Sequence, residues 1–274
     1  MAQLCFNGDF LPADRPLFPA SNRGFRYGDG LFETLRLQDG ALPLFPLHME
    51  RLGQGLTLLG LEPVSSALEL HQFTLQLAAA NNCTAAARVR LTVYREENRT
   101  ASFVIEAAPL DPVYSRLPDE GWHIDLFPFA RKSRDAYANL KSANYLPYVL
   151  AGRYAAERGL DECLVLNTES RIADGTRTNV FLVRKGMLYT PALHEGCVSG
   201  VMRRHLIETG KRLGYTVHLG EITEADLLAA DELFLANALM GLRPAASFRT
   251  KTYARRFSEQ LYTEAVSTIF PPFC

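Results

Sequence analysis

The chain has 274 residues, 47% of them hydrophobic, with 29 basic against 30 acidic side chains and a formal net charge of -1. That is length and apolar content enough for two modest domains with a substantial core. The even charge balance and the lack of any Lys/Arg-rich block argue against nucleic acid or an anionic membrane as partner.

No apolar run is long enough to cross a bilayer, and residues 1–10 lack a basic region followed by an apolar one, so the expected compartment is the cytosol. The five cysteines (Cys5, Cys83, Cys163, Cys197, Cys274) form no Cys-x-x-Cys pair. The six histidines show no His-x-x-x-His spacing. Reduced thiols and no metal centre are expected. Walker-type and Gly-x-Ser-x-Gly loops are absent.

Residues 4–10 read as a short strand entering an Asn7-Gly8 turn. A glycine-punctuated loop, 22–30, feeds a strand over 31–37 that closes on Asp39-Gly40. Gly28-x-Gly30 lacks a third glycine and precedes a strand, so it reads as a tight turn rather than a nucleotide loop. Pro46 opens a helix ending near Gly60, with Leu52, Leu56 and Leu59 on its buried face and Arg51 beside it. Ser66-x-x-Glu69 is a capping box for a second helix. Alternation over 87–95 (Val89, Leu91 and Val93 against Arg90, Thr92 and Tyr94) describes a half-buried strand, with 102–107 as its hairpin partner.

Prolines, aspartates and Gly121 then crowd one short stretch. The domain boundary is placed there: a small N-terminal domain over 1–110, a linker over 111–121, and a larger domain over 122–274. The second half opens with a strand at 123–127 and continues with a helix after Lys141 that closes at Gly159. Further strands are expected at 162–167, 179–183, 187–190 and 232–236. Helices are expected after Gly200, after Thr223 and over 254–269. Strands and helices mix without a strict βαβ rhythm, which makes the chain α+β.

Lys141 lies among apolar neighbours, where loss of hydration lowers an amine's pKa and leaves it able to form a Schiff base. Around it several short motifs follow a fixed order. These are Tyr-Gly-Asp-Gly-Leu-Phe-Glu-Thr (27–34), His48-x-x-Arg51-Leu52, the lysine segment 140–145, and Asp174-Gly175 with Thr178-Asn179-Val180-Phe181. Ser199-Gly200-Val201-Met202-Arg203 and Asn237-Ala238-Leu239-Met240 complete the series. In this order the chain resembles the class IV aminotransferase family, the fold-type IV pyridoxal-phosphate enzymes. That family includes D-amino-acid and branched-chain aminotransferases and aminodeoxychorismate lyase.

The resemblance implies a smaller N-terminal α/β domain, a larger C-terminal pseudo-barrel domain and a homodimer with the cofactor cleft between the domains. It implies pyridoxal 5'-phosphate held by Lys141, with its phosphate on Arg51, Gly200, Val201, Asn237 and Ala238. Asp174 stands where the family usually has a glutamate against the pyridine nitrogen, one methylene shorter. We take Asp174 as the working group, with a weakened electron sink as the alternative; Glu169 lies five residues too early. The substrate is expected to be a small amino-acid-like amine. For a lyase, Thr34 would assist proton transfer, and the 237–240 loop is similar to that of aminodeoxychorismate lyases. For a D-amino-acid or branched-chain transaminase, Arg95, Arg26 or Arg99 would hold the substrate carboxylate near Phe32, and Phe32-Glu33 matches that pattern. The lyase is preferred narrowly. A cofactor-binding protein without turnover is the third reading.

Overall fold

The leucine positions of residues 31–107 fall on one face of a sheet, and two amphipathic helices cover that face. The computed structural model describes residues 2–62, 65–96 and 100–272. Contacts divide it into one unit of residues 1–114, joined by 140–145 and 273–274, and a second of 115–139 and 146–272.

In the first unit, β1 (Gln3–Phe6) and β2 (Asp9–Pro12) form the hairpin expected at Asn7-Gly8. Residues 22–30, expected as loop, contain a five-residue helix, α1 (Arg23–Tyr27). Asn22 caps it by accepting the Phe25 N–H at 2.9 Å. Gly24 within it and Gly28 at its end mask its helical character in the sequence. The sheet continues with β3 (Gly30–Gln38), β4 (Ala86–Arg95) and β5 (Ala101–Pro109) in the order β2-β1-β5-β4-β3. Helices α2 (Phe45–Leu59) and α3 (Ala67–Ala80) pack Leu52, Leu56, Leu70 and Leu77 against Leu31, Leu35, Val89 and Leu91. Gly60 ends α2 in the left-handed conformation, and the Ser66–Glu69 capping box starts α3.

The second unit is built on a nine-stranded sheet among the described residues. Its strands are β6 (Trp122–Lys132), β7 (Glu162–Asn167), β8 (Ile172–Gly175), β9 (Asn179–Arg184), β10 (Met187–Pro191), β11 (Val217–Gly220), β12 (Glu232–Asn237), β13 (Gly241–Phe248) and β14 (Lys251–Thr252). Pairing is mostly antiparallel. The exceptions are β6 with β7 and β13, and β10 with β11. Helix α4 (Leu146–Glu157) supplies the long crossover that a parallel β6–β7 pair requires. Helices α5 (Val201–Arg212) and α6 (Glu224–Ala229) start where Gly200 and Thr223 predict.

The α+β class is therefore the one found. Strands β8, β11 and β13 were not expected. They are short or, like β13, carry a buried arginine and a proline that obscure any alternation. The helix expected over 254–269 is α7 (Arg256–Leu261) followed by a π-helical turn over Tyr262–Val266. That turn rotates the buried face, so Tyr262, Val266 and Phe270 are buried beside Leu261 and Ala265. The four cysteines among the described residues are free thiols. No helix among those residues is long and apolar enough to cross a membrane.

One polar cluster ties α2 to β3 inside the leucine layer. The Glu33 carboxylate accepts from Arg51 Nε at 2.8 Å and from a second Arg51 nitrogen, and faces His48 Nδ1 at 2.6 Å. Burial alone would raise the Glu33 carboxyl, but the charges and hydrogen bonds of Arg51 and His48 outweigh it and hold it at about 2 against an ordinary 4.5. Burial pushes the His48 pKa down, with Glu33 opposing it, and facing a carboxylate the ring donates from Nδ1. A depressed carboxyl stabilises the fold above its unfolded pKa and loses that contribution as pH falls through the folded value. Acid unfolding followed by circular dichroism should therefore steepen between pH 4.5 and about 2. Glu33→Gln should cost about 3 kcal/mol at neutral pH and flatten that acid limb. An unchanged limb in the variant would assign the titration elsewhere.

Candidate active site

Lys141 is carried on a short extended segment bonded to the start of β3. The Phe32 N–H donates to the Lys141 carbonyl and the Ala143 N–H to the Gly30 carbonyl, each at 2.9 Å, and Leu31 and Ser142 form an antiparallel bridge. This close approach explains the glycine at 28, while Gly30 is required by the neighbouring strand β4. Gly28 has φ +64°, and a Cβ there would lie 3.2 Å from the Asn144 backbone nitrogen. A Cβ on Gly30 would meet the Val93 carbonyl at 2.5 Å. The tight turn expected there is thus what admits the lysine segment.

The Lys141 ammonium lies 4.5 Å from the centre of the Phe32 ring and 5.2 Å from that of Tyr145. The two rings meet edge-on at 5.4 Å. Arg90 places its guanidinium carbon 4.0 Å from the same Phe32 ring and donates from Nε to Thr92 Oγ1 at 3.2 Å. Thr34 is directly opposite Arg90 in the ladder and is half-buried on the same face as Phe32. Lysine, arginine and threonine thus converge on one aromatic platform. Such a platform favours cations.

The other residues expected on this half are placed differently. Arg51 uses part of its guanidinium fork on Glu33, which fixes its plane. Arg95 donates to Asp29 at 3.0 Å and to the Leu59 carbonyl at 2.6 Å, fastening the end of α2. Arg26 is exposed and donates to the Ala20 carbonyl at 2.9 Å. Arg99 lies outside the described residues. Arg90 was visible in the sequence only as the polar member of an alternating strand. Its signal was the face it shares with Phe32 and Thr34.

In the second unit Asp174, at the end of β8, is 1% exposed. One carboxylate oxygen accepts from the Val198 N–H at 2.9 Å, from the Tyr148 hydroxyl at 3.0 Å and from Lys132 Nζ at 3.3 Å; the other faces the same hydroxyl at 3.1 Å. The donors hold the shorter side chain in one orientation and leave the second oxygen an accepting lone pair. Glu169, by contrast, is exposed and pairs with Arg134 at 3.7 Å. Glu162 braces the turn between Asp174 and Asn179, accepting from the Thr176 N–H at 3.0 Å and from the Thr178 hydroxyl at 3.2 Å. Burial pushes its carboxyl up.

Helix α5 starts at Gly200 with no side-chain cap, so its first-turn N–H groups have no acceptor from that quarter. A Cβ on Gly200 would lie 1.8 Å from Asn179 Oδ1, and Asn179 Nδ2 holds the Val198 carbonyl at 2.9 Å. Glycine at 200 therefore lets the Asn179 side chain lie against the start of this helix. Asn237 accepts the Leu239 and Met240 N–H groups at 3.0 Å each, shaping the turn that carries Ala238. The first unit holds an amine on an aromatic platform and a braced guanidinium, and the second a buried carboxylate and an uncapped helix start. By its own chemistry each fits one part of a phosphorylated pyridine aldehyde: the aldehyde, the phosphate or the ring nitrogen.

The amino-transferase class IV family model matches residues 30–248. The chain is 28% identical to the aminodeoxychorismate lyase of Bacillus subtilis, over 92% of this chain and 89% of that protein. It is also 28% identical to a putative branched-chain-amino-acid aminotransferase of Methanocaldococcus jannaschii, over 88% and 86%. The branched-chain aminotransferase of Thermoproteus uzoniensis, solved with norvaline, superposes with a TM-score of 0.88 at 24% identity, covering 98% of this chain and 95% of that one. At that identity the likeness shows the fold. Taken with the family match across the motifs from β3 to β13, it leads to one conclusion: the chain is an enzyme of the amino-transferase class IV family.

Proposed function

We propose that this enzyme uses pyridoxal 5'-phosphate bound covalently through Lys141 and acts on a small amine that carries a carboxylate. The observation that carries the reading is Lys141 and Arg90 flanking one ring, Phe32. A primary amine and a guanidinium beside one aromatic ring support a site for an amine that carries a carboxylate. Bound pyridoxal phosphate supplies an aldehyde that joins the substrate amine and a ring that draws electron density from the adjacent carbon. Lys141 holds the aldehyde between turnovers and takes the proton from the carbon bearing the amine. Arg90 orients the carboxylate. Arg51 and the first-turn N–H groups at Gly200 and Val201 hold the phosphate, with Asn237 shaping the turn at Ala238. Asp174, oriented by Tyr148, Lys132 and the Val198 N–H, would accept a hydrogen bond from the ring nitrogen and keep it protonated.

Of the two reactions we favour elimination of pyruvate from 4-amino-4-deoxychorismate to give p-aminobenzoate. Thr34 stands opposite Arg90 and shares the face of Phe32, which supports a role for its hydroxyl in passing a proton to the departing enolpyruvyl group. Glu33, which in sequence favoured a transaminase, faces Arg51 and His48 on the opposite side of the sheet. It therefore does not discriminate between the reactions. Transamination of a D- or branched-chain amino acid is the second reading, since Arg90 serves any α-carboxylate.

We further propose a homodimer. Leu146, Val149 and Leu150 recur along one exposed face of α4, and Phe129, 77% exposed, packs on Tyr154 of the same helix. Light scattering should return the mass of two chains, and Val149→Asp should shift it towards one. A monomeric wild type would remove this part of the reading.

For the chemistry, borohydride reduction and peptide mapping of the cofactor-loaded protein should place the label on Lys141, and Lys141→Ala should abolish it. Pyruvate should then appear from 4-amino-4-deoxychorismate. Amino-acid-driven loss of the visible band, restored by a keto acid, would favour the transaminase. A coloured protein inert to both would leave a cofactor-binding protein.

A further inference from the structure

Residues 133–139 run beside the loop 193–199 that joins β10 to α5, and one side chain carries most of the polar contact between them. The Asn139 amide donates to the Leu193 carbonyl at 2.8 Å and to the Cys197 carbonyl at 2.6 Å. Its backbone carbonyl accepts the Ser199 N–H at 3.0 Å. Both amide hydrogens are thereby used, one on each side of the turn at Glu195-Gly196. Gly196 closes that turn at φ +87°, and a Cβ there would lie 2.5 Å from the Ser133 carbonyl, so the two backbones are in contact.

A carbonyl anchors a side chain only if it is itself immobile, and Glu195 immobilises this loop. It is fully buried and accepts from Arg171 Nε at 2.6 Å, from Arg171 Nη2 at 3.2 Å and from Asn167 Nδ2 at 2.8 Å. Arg134 lies 3.5 Å from the same carboxylate and donates from Nε to the His194 carbonyl at 2.9 Å. A buried carboxylate held by this many donors cannot move without stranding them. The far end of the loop is fastened separately, since the Val198 N–H donates to Asp174 and the Val198 carbonyl accepts from Asn179. Neither Asn139 nor Glu195 has a part in the chemistry assigned above.

Asn139 stands two residues before Lys141. Downstream, the lysine backbone is fixed by the bonds to Phe32 and Gly30; upstream, the Asn139 bonds fix it from the other side. We propose that Asn139 is a positioning residue for Lys141, holding the backbone that enters the lysine so that its amine meets the cofactor aldehyde in a bonding orientation. The inference rests on the reading of Lys141 as the reacting amine. Because Val198 has partners of its own, loss of the Asn139 side chain should loosen the lysine and leave Asp174 and the helix start at Gly200 in place.

The test separates capture of the cofactor from its binding, in protein stripped of cofactor. In capture, Lys141 Nζ bonds the aldehyde carbon of pyridoxal phosphate and the aldehyde oxygen leaves as water; growth of the visible band reads its rate. Binding is read by calorimetry with pyridoxamine phosphate, which has no aldehyde. Asn139→Ala should slow capture at saturating cofactor at least about tenfold and keep pyridoxamine phosphate affinity within about twofold. Asn139→Asp, of the same shape but unable to donate, should do the same. Asn139→Gln, with its donors on a longer stem, should recover part of the rate. Leu261→Ala, buried on α7, is the stability control: it should lower the unfolding midpoint and capture at the wild-type rate. An Asn139→Ala variant that captures at the wild-type rate overturns the inference. So does one whose pyridoxamine phosphate affinity falls in step with capture, for then Asn139 shapes the whole cofactor site. If circular dichroism shows Asn139→Ala unfolded, Asn139→Asp decides on the same criteria. Should borohydride fix the wild-type cofactor on a residue other than Lys141, the catalytic reading falls and the role of Asn139 with it. With the label on Lys141 and capture unslowed, only Asn139 loses its role.

Discussion

Two backbone hydrogen bonds, Phe32 N–H to Lys141 and Ala143 N–H to Gly30, govern the chemistry assigned to this protein. They make residues 140–145 a short partner of β3 and so deliver an amine to an aromatic surface belonging to another part of the chain. Nothing in the lysine's own helix would do this, since α4 begins only at Leu146. The bonds require close approach of two backbones, and glycine at 28 is the sequence's concession to that approach. The reactive group is placed by main-chain geometry, which side-chain substitutions around it disturb least.

Strand alternation then divides labour along β3. Phe32 and Thr34 face one side; Leu31, Glu33 and Leu35 face the helices. Neighbouring residues in a motif that reads as a unit therefore do unrelated work. Phe32 supports the amine, while Glu33 is locked between Arg51 and His48 in the leucine layer. A buried carboxylate of this kind persists because a guanidinium and an imidazole satisfy both oxygens, and removing it would strand two polar partners. The cluster also presents Arg51 in a fixed plane.

Asp174 illustrates how a shorter side chain is accommodated. An aspartate cannot reach as far as a glutamate, but it is easier to immobilise, with fewer rotors to fix. Here a backbone N–H, a phenol and an ammonium converge on it, and Glu162 stiffens the following turn. The Lys132 ammonium at 3.3 Å supplies a counter-charge to the buried carboxylate.

Most elements were legible in the sequence because their signals are local. The Ser66 capping box, the Gly60 stop, the Asn7-Gly8 hairpin and the Val89–Val93 alternation each depend on residues within one or two turns. The order of motifs was likewise enough to name Lys141, Asp174, Gly200 and Asn237 as candidates and to indicate the family. Strand β13 escaped because Arg243 and Pro244 break its pattern, and the π-helical turn because a five-residue change of phase leaves no compositional mark. What only the tertiary structure decided is which arginine is available for a substrate. Arg51, Arg90 and Arg95 look alike in sequence, yet Glu33 occupies part of the first and Asp29 with the end of α2 occupies the third. Arg90 alone of the three lies on Phe32, because the faces that meet across a sheet are set by register between strands, and register is a long-range property of the folded chain.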